Sequence, residues 1–305
     1  MQIITLTTDF GTHDWFVGTM KGVILGIAPR AAIVDLTHEI PAGDIRAGAF
    51  ALAAGFRFFP KGTVHVAVVD PGVGGARKAI AVQTSNYLFV GPDNGVLSLA
   101  LAREKIKSVH SLGNANYFLR PISHTFHGRD IFAPVAAHLS RGTPMHKFGP
   151  ARKDFIRLPW PQPRVRRGCI EGEVVFIDRF GNAITNIENA SLNAGLGAAH
   201  PDVDPKQMGH LVRSPAFRRP DTLIRSNRLK AELQTGCAVS MRACCEVFAG
   251  RRRLCPVKAF YQSVGAGQAV ALPGSSGFLE IAVNGGSAAR HFGLKIGERV
   301  LVRWS

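Results

Sequence analysis

The sequence lacks long apolar runs, a signal-peptide pattern and paired cysteines. None of its apolar runs reaches the roughly 18 residues that a membrane-spanning helix needs. The first residues carry no basic segment and enter an apolar β-branched run at once, so we expect no secretory signal. The five cysteines show no Cys-x-x-Cys spacing, which argues against a disulfide framework and against a zinc site. We therefore expect a cytoplasmic protein with reduced thiols and no membrane partner.

Acidic residues are scarce as well. The 305-residue chain has 21 Asp and Glu against 37 Lys and Arg, which gives a net charge of +16. Residues 1–150 carry about +5 of this charge and residues 151–305 about +11. The basic clusters of the second half contain no interleaved aromatic residues on which bases could stack. A solvated basic surface is therefore favoured, with nucleic-acid binding as the alternative.

The pattern of strands and helices predicts two domains. Strands and helices alternate in the first half, which is typical of an α/β domain with a mostly parallel sheet. Short strands and turns dominate the second half and predict a smaller, mostly-β domain that resembles a barrel or sandwich. We place the α/β domain at 1–158, a proline-rich linker at 159–170 and the β-rich domain at 171–305, with a basic insertion at about 191–230.

Helix boundaries in the first half follow from capping residues and apolar periodicity. Asp14 is the expected N-cap of the first helix, and Pro29 lies beyond its end. The expected helices cover 15–27, 45–59, 96–103 and 131–139.

The most informative stretch runs from Asp70 to Arg77. It follows the β-branched run 63–69, which predicts a buried strand, and its Pro and Gly residues predict a tight turn. A carboxylate and a guanidinium are thereby held together at the carboxyl end of a strand, where ligands bind in open α/β sheets. The alternative is a structural ion pair that only stabilises the turn.

Two further stretches place polar groups at the ends of elements. Asp9 follows the first strand, and two histidines, an arginine and an aspartate fall within 124–130 at a helix start. A metal site could combine His124, His127 and Asp130 with Asp9 or Asp70. The spacing of these residues matches no established zinc signature, so we expect no metal.

Five motifs stand in register along nearly the whole chain. They are Thr7–Gly11, Val69–Gly74, Thr125–Asp130, Ile177–Ile187 and Gly274–Ala288. Together they closely resemble the S-adenosyl-L-methionine hydroxide adenosyltransferase family, whose members hydrolyse S-adenosyl-L-methionine (SAM) to adenosine and methionine and are related to fluorinase and chlorinase. The resemblance implies an α/β domain joined to a smaller β-rich domain. It also implies a homotrimer with each active site between two subunits.

The resemblance assigns the catalytic roles to Asp70, Arg77 and His127. It further implies that Asp9 holds the ribose diol, since a carboxylate can accept from two hydroxyl groups. Phe126 is expected on the ribose or C5′ side of the substrate. Phe180 is expected on one face of the adenine.

The remaining substrate contacts surround the adenine and the methionine part. Phe260, which lies outside the five motifs, is expected on the second adenine face. Asn182 and the backbone near Asn284 are expected to read the adenine edge. The ammonium and carboxylate of the methionine part are expected to contact a second set of residues: Asp178 for the ammonium, and Ser275 and Ser276 for the carboxylate.

The implied chemistry is an in-line displacement at C5′ by water. The leaving group is a neutral thioether, so the reaction requires no general acid, and we expect no cofactor. Asp70 can orient or partly deprotonate the water, and Arg77 can favour its hydroxide character. His127 can complete the hydrogen-bond cage and relay the proton.

Two alternatives remain within the same resemblance. A SAM-dependent 5′-halogenase keeps the fold but replaces the polar triad, and Gly128 stands where fluorinase-type enzymes place a hydroxyl group. A non-catalytic sensor would bind SAM or adenosine without turnover. The intact triad favours the hydrolase over both.

Overall fold

The computed structural model describes residues 2–192 and 245–304. The chain divides into two compact units, Met1–Trp160 and Pro161–Ser305. The predicted basic insertion at about 191–230 lies, from residue 193 onward, outside the described residues. Within the described ranges, no helix is both long and apolar enough to cross a membrane.

The first unit is built on a seven-stranded mixed sheet. Its strands are β1 (Ile3–Thr8), β2 (Ala32–Thr37), β3 (Val64–Val68), β4 (Ala79–Thr84), β5 (Leu88–Pro92), β6 (Ile106–Ser111) and β7 (Ala151–Arg152). They lie in the order β2-β1-β3-β5-β4-β6-β7. The neighbouring strands β2, β1, β3 and β5 pair in parallel. The pairs β5–β4, β4–β6 and β6–β7 are antiparallel. The predicted α/β class is confirmed.

The parallel part of the sheet explains where polar residues gather. β1 and β3 are neighbours, with Thr8 opposite Val68 in the register. Asp9 and Asp70 follow these two strand ends in the sequence. Both carboxylates therefore lie at the same edge of the sheet, where ligands bind in α/β folds.

Helices cover both faces of this sheet. They are α1 (Phe16–Ile27), α2 (Ile45–Gly55), α3 (Ser98–Leu101) and α4 (Ala133–Ser140). α1 and α4 pack together on one face, over a fully buried cluster that includes Ile4, Leu6 and Val66. α2 and α3 contact each other, and Phe56, just after α2, meets His65 on the opposite face of β3. The side chains of β1 and β3 are thus buried on both faces.

Several helix ends differ from the predicted ones. The helix predicted over 45–59 ends at Gly55, and the 3₁₀ turn Phe56–Phe58 follows it. Trp15, not Asp14, occupies the N-cap of α1; it already has helical φ and ψ and makes no side-chain cap, so Asp14 lies one residue too early. The segment predicted as a helix over 96–103 is helical only at Ser98–Leu101, because Gly95 to Leu97 form a turn. The helix predicted at 131–139 begins with a π-helical turn, Gly128–Phe132, before α4.

The second unit is an antiparallel sheet that nearly closes into a barrel. Its strands are β8 (Arg164–Arg166), β9 (Cys169–Ile177), β10 (Ala183–Glu188), β11 (Cys245–Ala249), β12 (Arg252–Pro256), β13 (Ala269–Pro273), β14 (Phe278–Val283) and β15 (Arg299–Trp304). The strand path is β12-β11-β15-β9-β10-β14-β13, with β8 paired to β9. A bridge between Val257 and Ala271 joins the two ends of the path. This confirms the predicted mostly-β domain.

Alternate residues of β14 face opposite sides of this sheet. Leu279 and Ile281 belong to the main apolar core, together with residues of β9, β10 and β15. Ala282 belongs to a separate small cluster with Val270 and Leu272. Glu280 lies two residues before Ala282 in β14, so both side chains face the same side of the sheet, away from the main core.

Candidate active site

A glycine-dependent loop carries Asp70 and Arg77 away from β3. Gly74 has a φ of +75°, and a Cβ atom at this position would lie 2.2 Å from the carbonyl oxygen of His124. Only glycine allows this close approach. The loop therefore lies directly against the segment that carries His127.

Asp70 and Arg77 form a bidentate ion pair. Nε of Arg77 lies 2.9 Å from both carboxylate oxygens of Asp70, and Nη2 lies 2.5 Å from Oδ2. Their side chains are only 5% and 12% exposed. The guanidinium carbon also lies 5.4 Å from the centre of the Phe132 ring. Such planar, charge-assisted contacts fix both groups in one orientation.

His127 extends this pair to a chain of three residues. Its Nδ1 atom lies 2.6 Å from Nη2 of Arg77. A guanidinium has only donors, so Nδ1 must accept and the ring proton of the neutral imidazole lies on Nε2. Burial and then the charge of Arg77 lower the pKa of His127 below its ordinary value. His127 is therefore neutral at neutral pH and offers an Nε2–H donor.

Asp9 and Phe126 lie in the same unit as these three residues. Oδ2 of Asp9 accepts a hydrogen bond of 2.8 Å from the backbone N–H of Gly43. Phe126 is buried and meets Phe10 and Phe16 edge-on, with ring centres 5.8 and 5.1 Å away. Asp9 thus has a fixed carboxylate, and Phe126 belongs to an aromatic cluster behind the strand ends.

The second unit carries an open cavity of about 480 Å³. Its lining residues are Phe180, Asn182, Tyr261, Val283, Gly285 and Gly286. Phe180 is 74% exposed, which is unusual for a large apolar side chain and makes its ring accessible. The predicted adenine contacts Phe180 and Asn182 therefore share one cavity, whereas Phe260 is not among its lining residues and is 58% exposed.

Asp178 organises the turn that presents Phe180. Its Oδ1 accepts from the backbone N–H groups of Phe180 and Asn182, each at 2.9 Å. Its Oδ2 accepts from the side-chain amide of Asn182 at 3.0 Å. Gly181 has a φ of +83°, and a Cβ atom there would lie 2.0 Å from Oγ of Ser287. This turn therefore requires both the aspartate and the glycine.

The other residues predicted for the methionine part and the adenine edge are distributed as follows. Ser275 is exposed, whereas Oγ of Ser276 is buried without a hydrogen-bond partner in the described structure. The side-chain amide of Asn284 donates to the carbonyl of Val264 at 2.9 Å. Asn284 thus fixes the segment that follows Tyr261, and its amide nitrogen is already engaged.

Tyr261 and its hydrogen-bond partner Glu280 are not among the residues that the sequence predicts for the site. Tyr261 lines the cavity, and its hydroxyl donates to Oε1 of Glu280. Glu280 is only 6% exposed, and burial together with the charge of Asp178 raises its pKa, although the bond from Tyr261 acts in the opposite direction. An acid within the apolar strand Phe278–Val283 was the available signal.

The alternative metal ligands do not assemble. Asp130 is fully buried and accepts from Arg129 and from the backbone N–H of Ser123. Nδ1 of His127 faces Arg77. Among the described residues, no group of three or more His, Cys, Asp or Glu side chains is placed to hold a metal ion.

Comparison with known proteins gives a consistent result over both units. The sequence model of the SAM hydroxide adenosyltransferase N-terminal domain matches residues 4–149, and that of the C-terminal domain matches residues 224–301. A protein of Thermus thermophilus named (R)-S-adenosyl-L-methionine hydrolase is 35% identical, over 97% of this chain and 98% of its own. One with the same name from Salinispora arenicola is 44% identical, over 65% and 77%.

More distant relatives and solved structures agree. A fluorinase of an Actinoplanes species is 30% identical, over 64% of this chain and 75% of its own. The crystal structure of an uncharacterised conserved protein from Thermotoga maritima matches 99% of this chain and all of its own, with a TM-score of 0.79 and 32% identity. The chain belongs to the SAM hydroxide adenosyltransferase family.

Proposed function

We propose that the protein hydrolyses SAM to adenosine and L-methionine. The observation that carries this proposal is the hydrogen-bonded chain of Asp70, Arg77 and His127 at the ligand-binding edge of the sheet. In the reaction, a water oxygen forms a bond to C5′ while the C5′–S bond breaks. The electron pair of that bond goes to sulfur, which leaves as a neutral thioether, and one water proton is released.

The three residues supply the contacts that an attacking water needs. Asp70 accepts one hydrogen of the water and draws off its proton as the C–O bond forms. The Nε2–H of His127 donates to one lone pair of the water oxygen, which leaves the other lone pair directed at C5′. Arg77 holds both partners and favours negative charge on the oxygen. Alignment of this kind contributes several kcal/mol to lowering the barrier.

The substrate contacts follow from the same proposal. Asp9 accepts from the ribose hydroxyl groups with the lone pairs that Gly43 leaves free, and Phe126 closes the C5′ side. Phe180 stacks on the adenine, and Asn182 and the backbone near Asn284 read its edge. Tyr261 is a better candidate than Phe260 for the second aromatic face, because only Tyr261 lines the cavity.

The methionine part takes the remaining polar groups of the second unit. Asp178 meets the ammonium group, and Ser275 and Ser276 meet the carboxylate. The buried, unpartnered hydroxyl of Ser276 supports its role, because a buried hydroxyl without a partner costs free energy that a ligand oxygen can recover. The proposed reaction uses no metal and no organic cofactor. Cys169 and Cys255 are free thiols, and we propose a cytoplasmic location.

The decisive assay separates hydrolase, halogenase and sensor. Purified protein is incubated with SAM and excess EDTA, with and without chloride, and the products are separated by chromatography. We expect equal amounts of adenosine and methionine at a rate that chloride does not change. Formation of 5′-chloro-5′-deoxyadenosine would make the protein a halogenase, and a thermal shift without product would make it a sensor.

The close packing around Gly128 favours a hydrolase over a halogenase. A Cβ atom at Gly128 would lie 3.1 to 3.3 Å from Phe126, Met20 and Phe10, so the position has little space for a side chain. A hydroxyl-bearing residue of the fluorinase type would require these neighbours to move.

We further propose a homotrimer in which the first unit of one subunit and the second unit of its neighbour form each active site. The exposed ring of Phe180 supports an additional partner on that surface. Light scattering should then give about three times the 32.8 kDa mass of the chain.

A mixing experiment tests the shared site directly. Asp70→Ala and Phe180→Ala subunits are co-expressed with different tags, and doubly tagged assemblies are purified. Assayed below the KM of the wild type, each homotrimer should be nearly inactive. The mixed trimer should recover about one third of the wild-type activity, because one of its three interfaces pairs two intact halves. No recovery would show that each site lies within one subunit.

A further inference from the structure

A hydroxyl–imidazole–carboxylate chain begins at a buried threonine and a buried histidine next to the loop that carries Asp9, and it ends at the exposed carboxylate of Asp35. Oγ1 of Thr8 lies 2.8 Å from Nδ1 of His38, and Nε2 of His38 lies 3.0 Å from Oδ1 of Asp35. The imidazole N–H is not aligned with this carboxylate oxygen, so that contact is electrostatic. Oδ2 of Asp35 continues the chain to Nζ of Lys21 at 2.5 Å. The chain thus connects α1 and β2 to the last residue of β1.

The order of groups resembles a nucleophilic triad, but its burial rules out that role. Thr8 is 0% exposed and His38 is 3% exposed. No substrate can reach the hydroxyl oxygen of Thr8 without opening the sheet. The chain must therefore act through the backbone that it holds.

Several hydrogen bonds connect His38 and Thr8 to the Asp9 loop. Oγ1 of Thr8 accepts from the N–H of Phe10 at 3.2 Å, and the N–H of Gly11 donates to the carbonyl of His38 at 2.8 Å. The N–H of Gly43 donates to Asp9 itself. The segment 38–43 thus holds the backbone on both sides of Asp9 and one oxygen of its carboxylate.

We infer that His38 and Thr8 are positioning residues that fix the Asp9 carboxylate for recognition of the ribose diol. This inference rests on the proposed function. A carboxylate discriminates a diol from a single hydroxyl only if both oxygens keep their orientation, because each hydrogen bond weakens steeply with misalignment. Loss of the Thr8–His38 bond should therefore weaken ribose recognition while the triad around Asp70 stays in place.

Strand β1, which ends at Thr8, also contains Thr5, and this second threonine provides a matched control. Oγ1 of Thr5 lies 2.7 Å from Nδ1 of His65, and both residues are fully buried. His65 is enclosed by aromatic rings, and burial lowers its pKa to about 3. The Thr5–His65 pair has the same chemistry as Thr8–His38 but does not contact the Asp9 loop.

The experiment compares Thr8→Val with Thr5→Val in the full-length protein. Binding of adenosine and of 2′-deoxyadenosine is measured by calorimetry, and kcat and KM are measured with SAM. Thr8→Val should raise the KM about tenfold, the effect of weakening a hydrogen bond to a charged group, and should reduce the preference for adenosine over 2′-deoxyadenosine. Its kcat should change far less. Thr5→Val should lower the melting temperature but keep both the KM and the ribose preference.

Two further variants test the roles of the Thr8 hydroxyl and the His38 imidazole separately. Thr8→Ser, which retains the hydroxyl, should restore the ribose preference, and His38→Asn should reproduce the loss if Thr8→Val does not fold. An unchanged preference in Thr8→Val or in His38→Asn would overturn the inference, and so would an equal loss in Thr5→Val. If the wild type prefers adenosine without turning over SAM, only the proposed hydrolysis fails. If it binds neither nucleoside, the inference fails as well.

Discussion

Asp70→Ala should abolish the hydrolysis of SAM and leave ligand binding in place. The substitution removes the acceptor of the proposed water while Asp9 and the cavity around Phe180 stay unchanged. Loss of a positioned base lowers rates by about 10² to 10⁴, so we expect kcat to fall by about a thousandfold. Single-turnover assays give the rate, and calorimetry with adenosine should give a Kd close to that of the wild type.

A second buried ion pair in the same unit provides the control. Oδ2 of Asp93 lies 3.1 Å from Nη1 of Arg152, and the Asp93 side chain is 5% exposed, as is that of Asp70. Asp93→Ala should lower the melting temperature by leaving Arg152 without this partner, yet keep kcat near the wild-type value. If Asp70→Ala retains turnover, or if Asp93→Ala loses as much, Asp70 is not the residue that handles water.

The sequence predicts the contact between Asp70 and Arg77 but not their connection to His127. Only the six residues 71–76 of the glycine-rich loop separate Asp70 from Arg77, which is enough to indicate that the carboxylate and the guanidinium meet. His127 lies 50 residues further on, and its bond to Arg77 depends on the close approach of Gly74 to His124. Such non-local packing has no periodic signal, so only the family resemblance indicated the third residue.

Two aspartates show why helix ends are hard to predict. Asp44 caps α2 by accepting from the backbone N–H of Ala47 at 2.9 Å. Asp14 precedes α1 in a similar way but makes no cap, because Trp15 occupies the N-cap. The residue type is the same, and the backbone conformation of one following residue decides the outcome.

In the cavity of the second unit, residues from a local turn could be predicted from the sequence, whereas a residue from a distant segment could not. The turn Asp178–Asn182 is a local motif that the sequence predicts, and it carries both Phe180 and Asn182 to the cavity. Tyr261 comes to the cavity from another strand connection, and its hydroxyl meets Glu280. The aromatic pair Phe260–Tyr261 gives no local signal for which ring faces the cavity, so the sequence alone does not distinguish Tyr261 from Phe260.

Arg77→Met should raise the pKa of His127 and lower turnover together. The guanidinium that lies 2.6 Å from Nδ1 and helps to lower this pKa disappears, whereas the negative charge of Asp70 remains nearby. The unchanged burial still acts to lower the pKa, but the balance of charges now favours the imidazolium. His127 should therefore be protonated at a higher pH than in the wild type, and turnover at neutral pH should fall by about a hundredfold or more.

NMR of 15N-labelled histidine measures this directly. The chain has eleven histidines, and His127→Asn assigns the relevant signal by its disappearance. In the wild type, the neutral ring should carry its proton on Nε2, since Nδ1 accepts from Arg77. Arg120→Met is the control, because Arg120 is exposed and bonds only to the carbonyl of Ala115 among the described contacts. If both variants titrate like the wild type, Arg77 does not set the protonation state of His127, and the proposed donor role of Nε2 loses its basis.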